Sequence, residues 1–113
     1  MPKRSEEKAA YYQANKEKMK EQVMRAKMYR KYGITIEEYD AMYADQNGVC
    51  AICNQPESLM LRGAIKRLAI DHCHETGKIR GLLCFSCNTA LGSFKDDPAI
   101  ITAALSYLRE FSE

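Results

Sequence analysis

Val49-Cys50-Ala51-Ile52-Cys53 and, about thirty residues later, Cys84-Phe85-Ser86-Cys87 place two Cys-x-x-Cys pairs in a chain of 113 residues. A tight turn brings both sulfurs of such a pair onto one ion, and two pairs together suit tetrahedral zinc. Four thiolates leave no coordination position for water, so zinc held by Cys50, Cys53, Cys84 and Cys87 is expected to be structural. Its binding energy then becomes folding energy, which a chain too short to bury a large core needs. A redox-active pair would want a thioredoxin-like setting, which is absent, and buried unreactive thiols seldom fall into two such pairs. Cys73, the fifth cysteine, reads as a small packing residue, because four sulfurs already satisfy the ion.

Between the pairs, Leu68-Ala69-Ile70 is a short apolar run, Glu75-Thr76-Gly77-Lys78 has turn chemistry, and Ile79 to Leu83 can return antiparallel. Upstream, Thr35 and Glu38 form a capping box flanked by the hydrophobic-staple pair Ile34 and Tyr39, which predicts a helix ending near Asp45. Asn47-Gly48 makes the turn into the first cysteine pair. Downstream, Asp97-Pro98 reads as N-cap and first helical residue, and Ile101, Leu105 and Leu108 give the last helix an apolar face for packing. The predicted order is helix, helix, knuckle, hairpin, knuckle, helix: a small α+β fold.

Charge is distributed unevenly along the chain. The formal net charge of +2 conceals ten Lys/Arg against four Glu in residues 1–31 and seven against eleven acids in the remainder. Ser5 can cap a helix running to about Lys31, with Tyr12, Met19, Val23 and Ala26 at near-helical spacing and Gly33 as its stop. Such a basic arm is either a phosphate-contacting element or a solvated helix whose sparse apolar stripe rests on the domain or on a second chain. The expected division is therefore an arm, 1–31, and a zinc-stabilised domain, 32–113. The length excludes a barrel or a doubly wound sheet. No apolar run approaches the ~20 residues of a membrane span and the N-terminus has no apolar signal region, so a cytoplasmic protein is expected.

Asp71-His72-Cys73-His74 ends the first predicted strand and contains both histidines of the chain, while Asn88 follows the last cysteine of the second pair. Asp71 and Asn88 offer hard oxygen ligands suited to Mg²⁺ or Mn²⁺. His72 can take a proton from water near neutral pH. A base, a Lewis acid and a basic arm are the parts needed for phosphodiester hydrolysis. The spacing alone leaves two other readings open: a mixed zinc site drawing on Cys53, His72, His74 and Cys84, and a structural Asp-His pair.

The stretches 49–53, 70–74, 76–84 and 87–88, together with Tyr32 to Tyr39 and Leu91-Gly92 to Asp97-Pro98, resemble the recombination endonuclease VII family, phage-type members of the His-Me finger (HNH) nucleases. The resemblance covers about residues 32–108 and leaves the basic arm outside. It implies a ββα-metal motif pinned by a four-cysteine zinc, with His72 as general base, Asp71 and Asn88 holding one catalytic Mg²⁺ or Mn²⁺, and His74 contacting phosphate or orienting the site. Cys73 departs from the pattern, since family members often carry an acid there. The chain also stops soon after Leu108, without the long C-terminal extension through which the best-known junction-resolving member dimerises, so symmetrical junction resolution does not follow.

The expected function is a Mg²⁺-dependent endonuclease acting on duplex or branched DNA by a one-metal mechanism. A monomer would nick and a homodimer could make paired cuts, in the host-cell cytoplasm if the chain is phage-encoded. The competing expectation is a zinc-ribbon module that binds nucleic acid without chemistry. Arg62, Lys66, Arg67, Lys78 and Arg80 are candidate backbone contacts or solvated surface charges.

Overall fold

The computed structural model describes residues 3–112, with side chains from residue 7 onward. Backbone packing divides the chain into two compact units, Met1–Ala41 and Met42–Glu113. The buried residues Ile34, Ile36 and Tyr39 all lie within the first unit, beyond the compositional boundary. Among the described residues, no helix is long and apolar enough to cross a membrane.

The first unit opens with helix α1, Lys3–Tyr32. Ser5 lies inside this helix rather than at its cap, and its side chain is outside the described residues. Gly33 ends α1 as expected, at φ +72° and with its N–H on the Tyr29 carbonyl at 2.7 Å. The apolar stripe does not form a buried seam: Tyr12, Met19 and Val23 are all more than half exposed, and Met28 is the buried residue. Sparse apolar positions on a strongly charged helix provide too narrow a face to bury. Helix α2, Ile36–Asp45, starts at the predicted capping box. The Glu38 N–H donates to Thr35 Oγ1 at 3.1 Å and the Thr35 N–H to Glu38 Oε1 at 3.3 Å, while Ile34 and Tyr39 are buried. Arg25 of α1 reaches Glu37 of α2 at 2.8 Å.

The second unit holds two antiparallel hairpins and two helices. Strands β1, Met60–Leu61, and β2, Ala64–Ile65, form a hairpin that the sequence reading did not anticipate. Its turn, Arg62-Gly63, has φ of +52° and +82°, the sign at both centre positions that a type I′ turn needs. Arginine rather than Asn or Asp at the first of these positions masks the usual signal.

The expected hairpin is present as β3, Ala69–His72, and β4, Ile79–Leu83. Ile70 opposes Leu82 and Asp71 opposes Gly81, but His72 opposes Ile79, so Arg80 is bulged out of register. Helix α3, Phe85–Ser93, packs against both strands and completes a ββα unit. Cys50, Leu68, Ile70, Leu82, Leu83 and Cys84 are the buried apolar residues of the second unit among the described residues, and none of them lies on α3.

Helix α4, Pro98–Glu110, begins as predicted, with Asp97 Oδ1 accepting the Ala99 N–H at 2.9 Å. Its apolar face is not a packing face within this fold: Ile101 is half-buried, whereas Leu105 and Leu108 are 46% and 65% exposed.

Candidate metal centre and active site

Each cysteine pair is shaped by backbone donors. In the first knuckle the Ile52 N–H donates to Cys50 Sγ at 3.4 Å, and the chain closes through Asn54 N–H to Cys50 O at 3.0 Å with Asn54 at φ +59°. In the second, Cys84 caps α3 and its Sγ accepts the Cys87 N–H at 3.4 Å. The four sulfurs of Cys50, Cys53, Cys84 and Cys87 lie within 4.8 Å of one another. Cys53 Sγ and Cys84 Sγ are 3.8 Å apart, which matches the edge of a tetrahedron with Zn–S bonds of about 2.3 Å.

The thiols also have unequal affinities for their protons. Burial opposes ionisation of Cys50, but backbone hydrogen bonds from Cys53, Cys84 and Ile52 outweigh it and bring the thiol down to about 6. Burial and the neighbouring thiols push Cys87 up to about 12. A dication held by these four sulfurs would allow all of them to be thiolates together. Among the described residues this is the cluster able to hold a metal, and it contains neither histidine. The mixed zinc site is therefore set aside, because neither imidazole is among the groups gathered there.

Two side chains that the sequence reading passed over hold this frame together. Gln46 donates from Nε2 to the Val49 and Leu82 carbonyls at 2.8 and 2.9 Å, and its Oε1 accepts the Leu82 N–H at 2.9 Å. It thereby covers the open edge of β4 beside the first knuckle. Glu57 takes the Ser58 and Leu59 N–H groups on Oε1 and the Phe85 N–H at 2.7 Å on Oε2, fixing the chain after the first knuckle to the start of α3. Burial tends to raise the Glu57 pKa, yet these backbone donors lower it overall.

At the end of β3 the expected chemical residues occupy distinct environments. Asp71 is buried and is gripped by Arg80, with Nε to Oδ2 at 2.6 Å and Nη2 to Oδ1 at 2.9 Å. The hydrogen bonds to Asp71 raise the pKa of Arg80 further, so the guanidinium stays charged. The bulge explains the pairing: in regular alternation Arg80 and the residue opposite Asp71 would face opposite sides. Arg80 is thus paired with Asp71 while its side chain stays 40% exposed. His72 is half-buried, and its ring centroid is 4.9 Å from that of the exposed His74. His74 Nε2 lies 3.8 Å from Asp96 Oδ2, which Arg80 Nη2 also reaches at 3.2 Å.

Asn88 is exposed on the first turn of α3, where its backbone N–H donates to the Cys84 carbonyl at 2.9 Å. It is therefore carried by the helix that packs on β3 and β4, one residue from a cysteine of the cluster. Cys73 is not a core packing residue. It lines, with His74, Arg80, Lys95 and Asp96, an open cleft of about 440 Å³, and hydrogen bonds from Thr76 lower its thiol pKa.

A strand pair and helix framed by a four-cysteine cluster, with an Asp-His-x-His segment leaving the first strand, define a ββα domain of the zinc-knuckle kind. The chain matches the recombination endonuclease VII family over residues 25–110 and belongs to it. It is 46% identical over 80 residues to the Gene 59 protein of Mycobacterium phage D29, covering 70% of this chain and 46% of that protein. The Gene 59 protein of Mycobacterium phage L5 is 44% identical over 78 residues, covering 68% and 44%. The chain thus spans about half the length of these curated relatives. Among solved structures, the ββα-Me type II restriction endonuclease Hpy99I matches with a TM-score of 0.46 and 31% identity, over 64% of this chain and 42% of that one.

Proposed function

We propose that this chain carries a metal-dependent DNA endonuclease site that hydrolyses phosphodiester bonds, with residues 32–113 as the catalytic domain and the basic arm, 1–31, contributing phosphate contacts. The observation that carries the reading is the separation of donor sets. The four-sulfur cluster holds no imidazole among the described residues, while the His72 and His74 rings stand together, 4.9 Å apart, on the segment that carries Asp71.

In this reading His72 is the general base that takes a proton from the attacking water. Asp71, at the end of β3, and Asn88, on the helix packed against it, would hold one Mg²⁺ or Mn²⁺, and their oxygens suit such an ion. When bound, that ion supplies Lewis-acid stabilisation of charge on the phosphate and the leaving oxygen. His74 contacts phosphate or orients the site. The zinc is inert and braces the scaffold through Cys50, Cys53, Cys84 and Cys87.

Incubation of supercoiled plasmid with zinc-loaded protein and Mg²⁺ tests the reading. Wild type should nick the plasmid and leave 5′-phosphate ends, and His72→Ala should not. Equal absence of nicking in both would favour the non-catalytic nucleic-acid-binding module. Parallel assays on linear duplex and on four-way junctions separate a general nickase from a branched-DNA enzyme.

A further inference from the structure

The bulge in β4 places one guanidinium between two carboxylates. Arg80 binds both oxygens of Asp71 and also reaches Asp96 Oδ2 at 3.2 Å. The Asp71 side chain is 11% exposed, and Arg80 is its close counter-cation. Asp96 sits in the turn between α3 and α4, where Lys95 and Asp96 take φ of +58° and +52° in succession. Two consecutive non-glycine residues in the left-handed region are costly, and here the turn is held by N–H bonds from Lys95 to Gly92 O at 2.9 Å and from Asp96 to Leu91 O at 2.8 Å. The strained turn fixes an acceptor beside Arg80, on the same element pair that carries Asn88.

We infer that Arg80 competes with the divalent cation for Asp71, and that Asp96 is the acceptor that retains the guanidinium when it leaves, so that the two residues together set the cation affinity of the site. This rests on the proposed reading of Asp71 as a ligand. A small divalent ion needs a carboxylate oxygen at about 2.0–2.1 Å, and both Asp71 oxygens are engaged by a cation. Keeping both cations on one carboxylate sets like charges a few ångströms apart. Movement of Arg80 toward Asp96 relieves this without stranding the guanidinium, and the open cleft that both line gives it room. His74 Nε2 also lies 3.8 Å from Asp96 Oδ2, and Lys95 lines the same cleft. Arg80 and Asp96 are positioning residues in this scheme, since each acts through Asp71.

The test is Mn²⁺ titration of the zinc-loaded full chain, read as free Mn²⁺ by electron paramagnetic resonance in the absence of DNA. Arg80→Gln is expected to bind Mn²⁺ about tenfold more tightly, and Asp96→Asn more weakly by a similar factor. In the double variant the Asp96→Asn penalty should disappear. Should Arg80→Gln fail to fold, Arg80→Lys, which cannot grip both oxygens, should show a smaller gain. Unchanged or weaker binding in the Arg80 variants, an equal gain from Lys95→Gln, or persistence of the Asp96 penalty in the double variant would each overturn the inference. Asp71→Asn separates the two levels: it should abolish tight Mn²⁺ binding, and if it binds like wild type the ligand reading fails and the competition fails with it.

Discussion

The side-chain amide of Gln46 satisfies both backbone polar groups of Leu82, thirty-six positions further along the chain, in the manner of a neighbouring strand. Leu82 is fully buried, so no water can replace Gln46 as the acceptor for its N–H, whereas its carbonyl keeps the Ala51 N–H at 3.0 Å. Gln46→Ala should therefore destabilise the zinc-loaded protein by about 1–3 kcal/mol in urea unfolding. Gln46→Glu should be no better, because a carboxylate cannot donate to the Val49 and Leu82 carbonyls. A midpoint unchanged by either substitution would show that the edge of β4 needs no cover.

The four-sulfur cluster should make folding depend on metal. Cys84 is both a member of that cluster and the cap of α3, so Cys84→Ser should remove the cooperative thermal transition. Wild type treated with a strong chelator should behave in the same way, and metal analysis before chelation should find one zinc per chain. Retention of a sharp transition after complete zinc removal would contradict the structural assignment.

Glu57 should make stability depend on pH in a definite direction. Its pKa lies below the reference of 4.5, against the effect of burial, because backbone N–H groups of Leu59, Phe85 and Ser58 favour the carboxylate. A depressed folded-state value stabilises the protein above the unfolded pKa, and this contribution is lost as pH falls through the folded value. Glu57→Gln should thus melt below wild type at pH 7, and the gap should narrow once the pH drops below 4.5. Acid release of zinc affects both proteins alike, so the difference between the two melting curves isolates Glu57. A gap that widens in acid would refute the assignment.

Gly48 sits at φ +71° after Asn47, itself at +57°. A Cβ there would stand 3.0 Å from Tyr43 Oη, which belongs to a half-exposed ring able to give way. The main cost of Gly48→Ala is then the left-handed backbone, about 1–2 kcal/mol, seen as a lower melting temperature with zinc content unchanged. A rise in melting temperature would mean that the turn relaxes freely.

Asn88→Ala provides a separation of function. The side chain is exposed and the structural bond at this position is made by the backbone N–H, so stability should change by less than about 0.5 kcal/mol. Under the proposed function, plasmid nicking should fall by roughly a hundredfold or more while zinc content is kept. Loss of both together would make Asn88 a scaffold residue instead.

Much of this architecture is written in short-range signals. The Thr35/Glu38 capping box, the Gly33 stop, the Asp97-Pro98 start and the turn at Gly77 each depend on residues within four positions of one another, and the structure contains all of them. The two Cys-x-x-Cys knuckles are local in the same sense, and the hairpin between them follows from two apolar runs flanking a turn. The β1–β2 hairpin escaped because Arg62 occupies a position where Asn or Asp would have announced the turn.

The sequence by itself therefore determined the order of the elements apart from β1 and β2, the two cysteine pairs and the segment that carries Asp71, His72 and His74, because each rests on spacing along the chain. Only the tertiary structure decided that Arg80 turns inward onto Asp71, that Asp96 stands beside both Arg80 and His74, and that Gln46 and Glu57 brace the two knuckles. Those relationships depend on a one-residue bulge and on hydrogen bonds spanning from nine to thirty-six positions. Such partners are fixed by how the chain folds back on itself, and no local pattern of residue types encodes them.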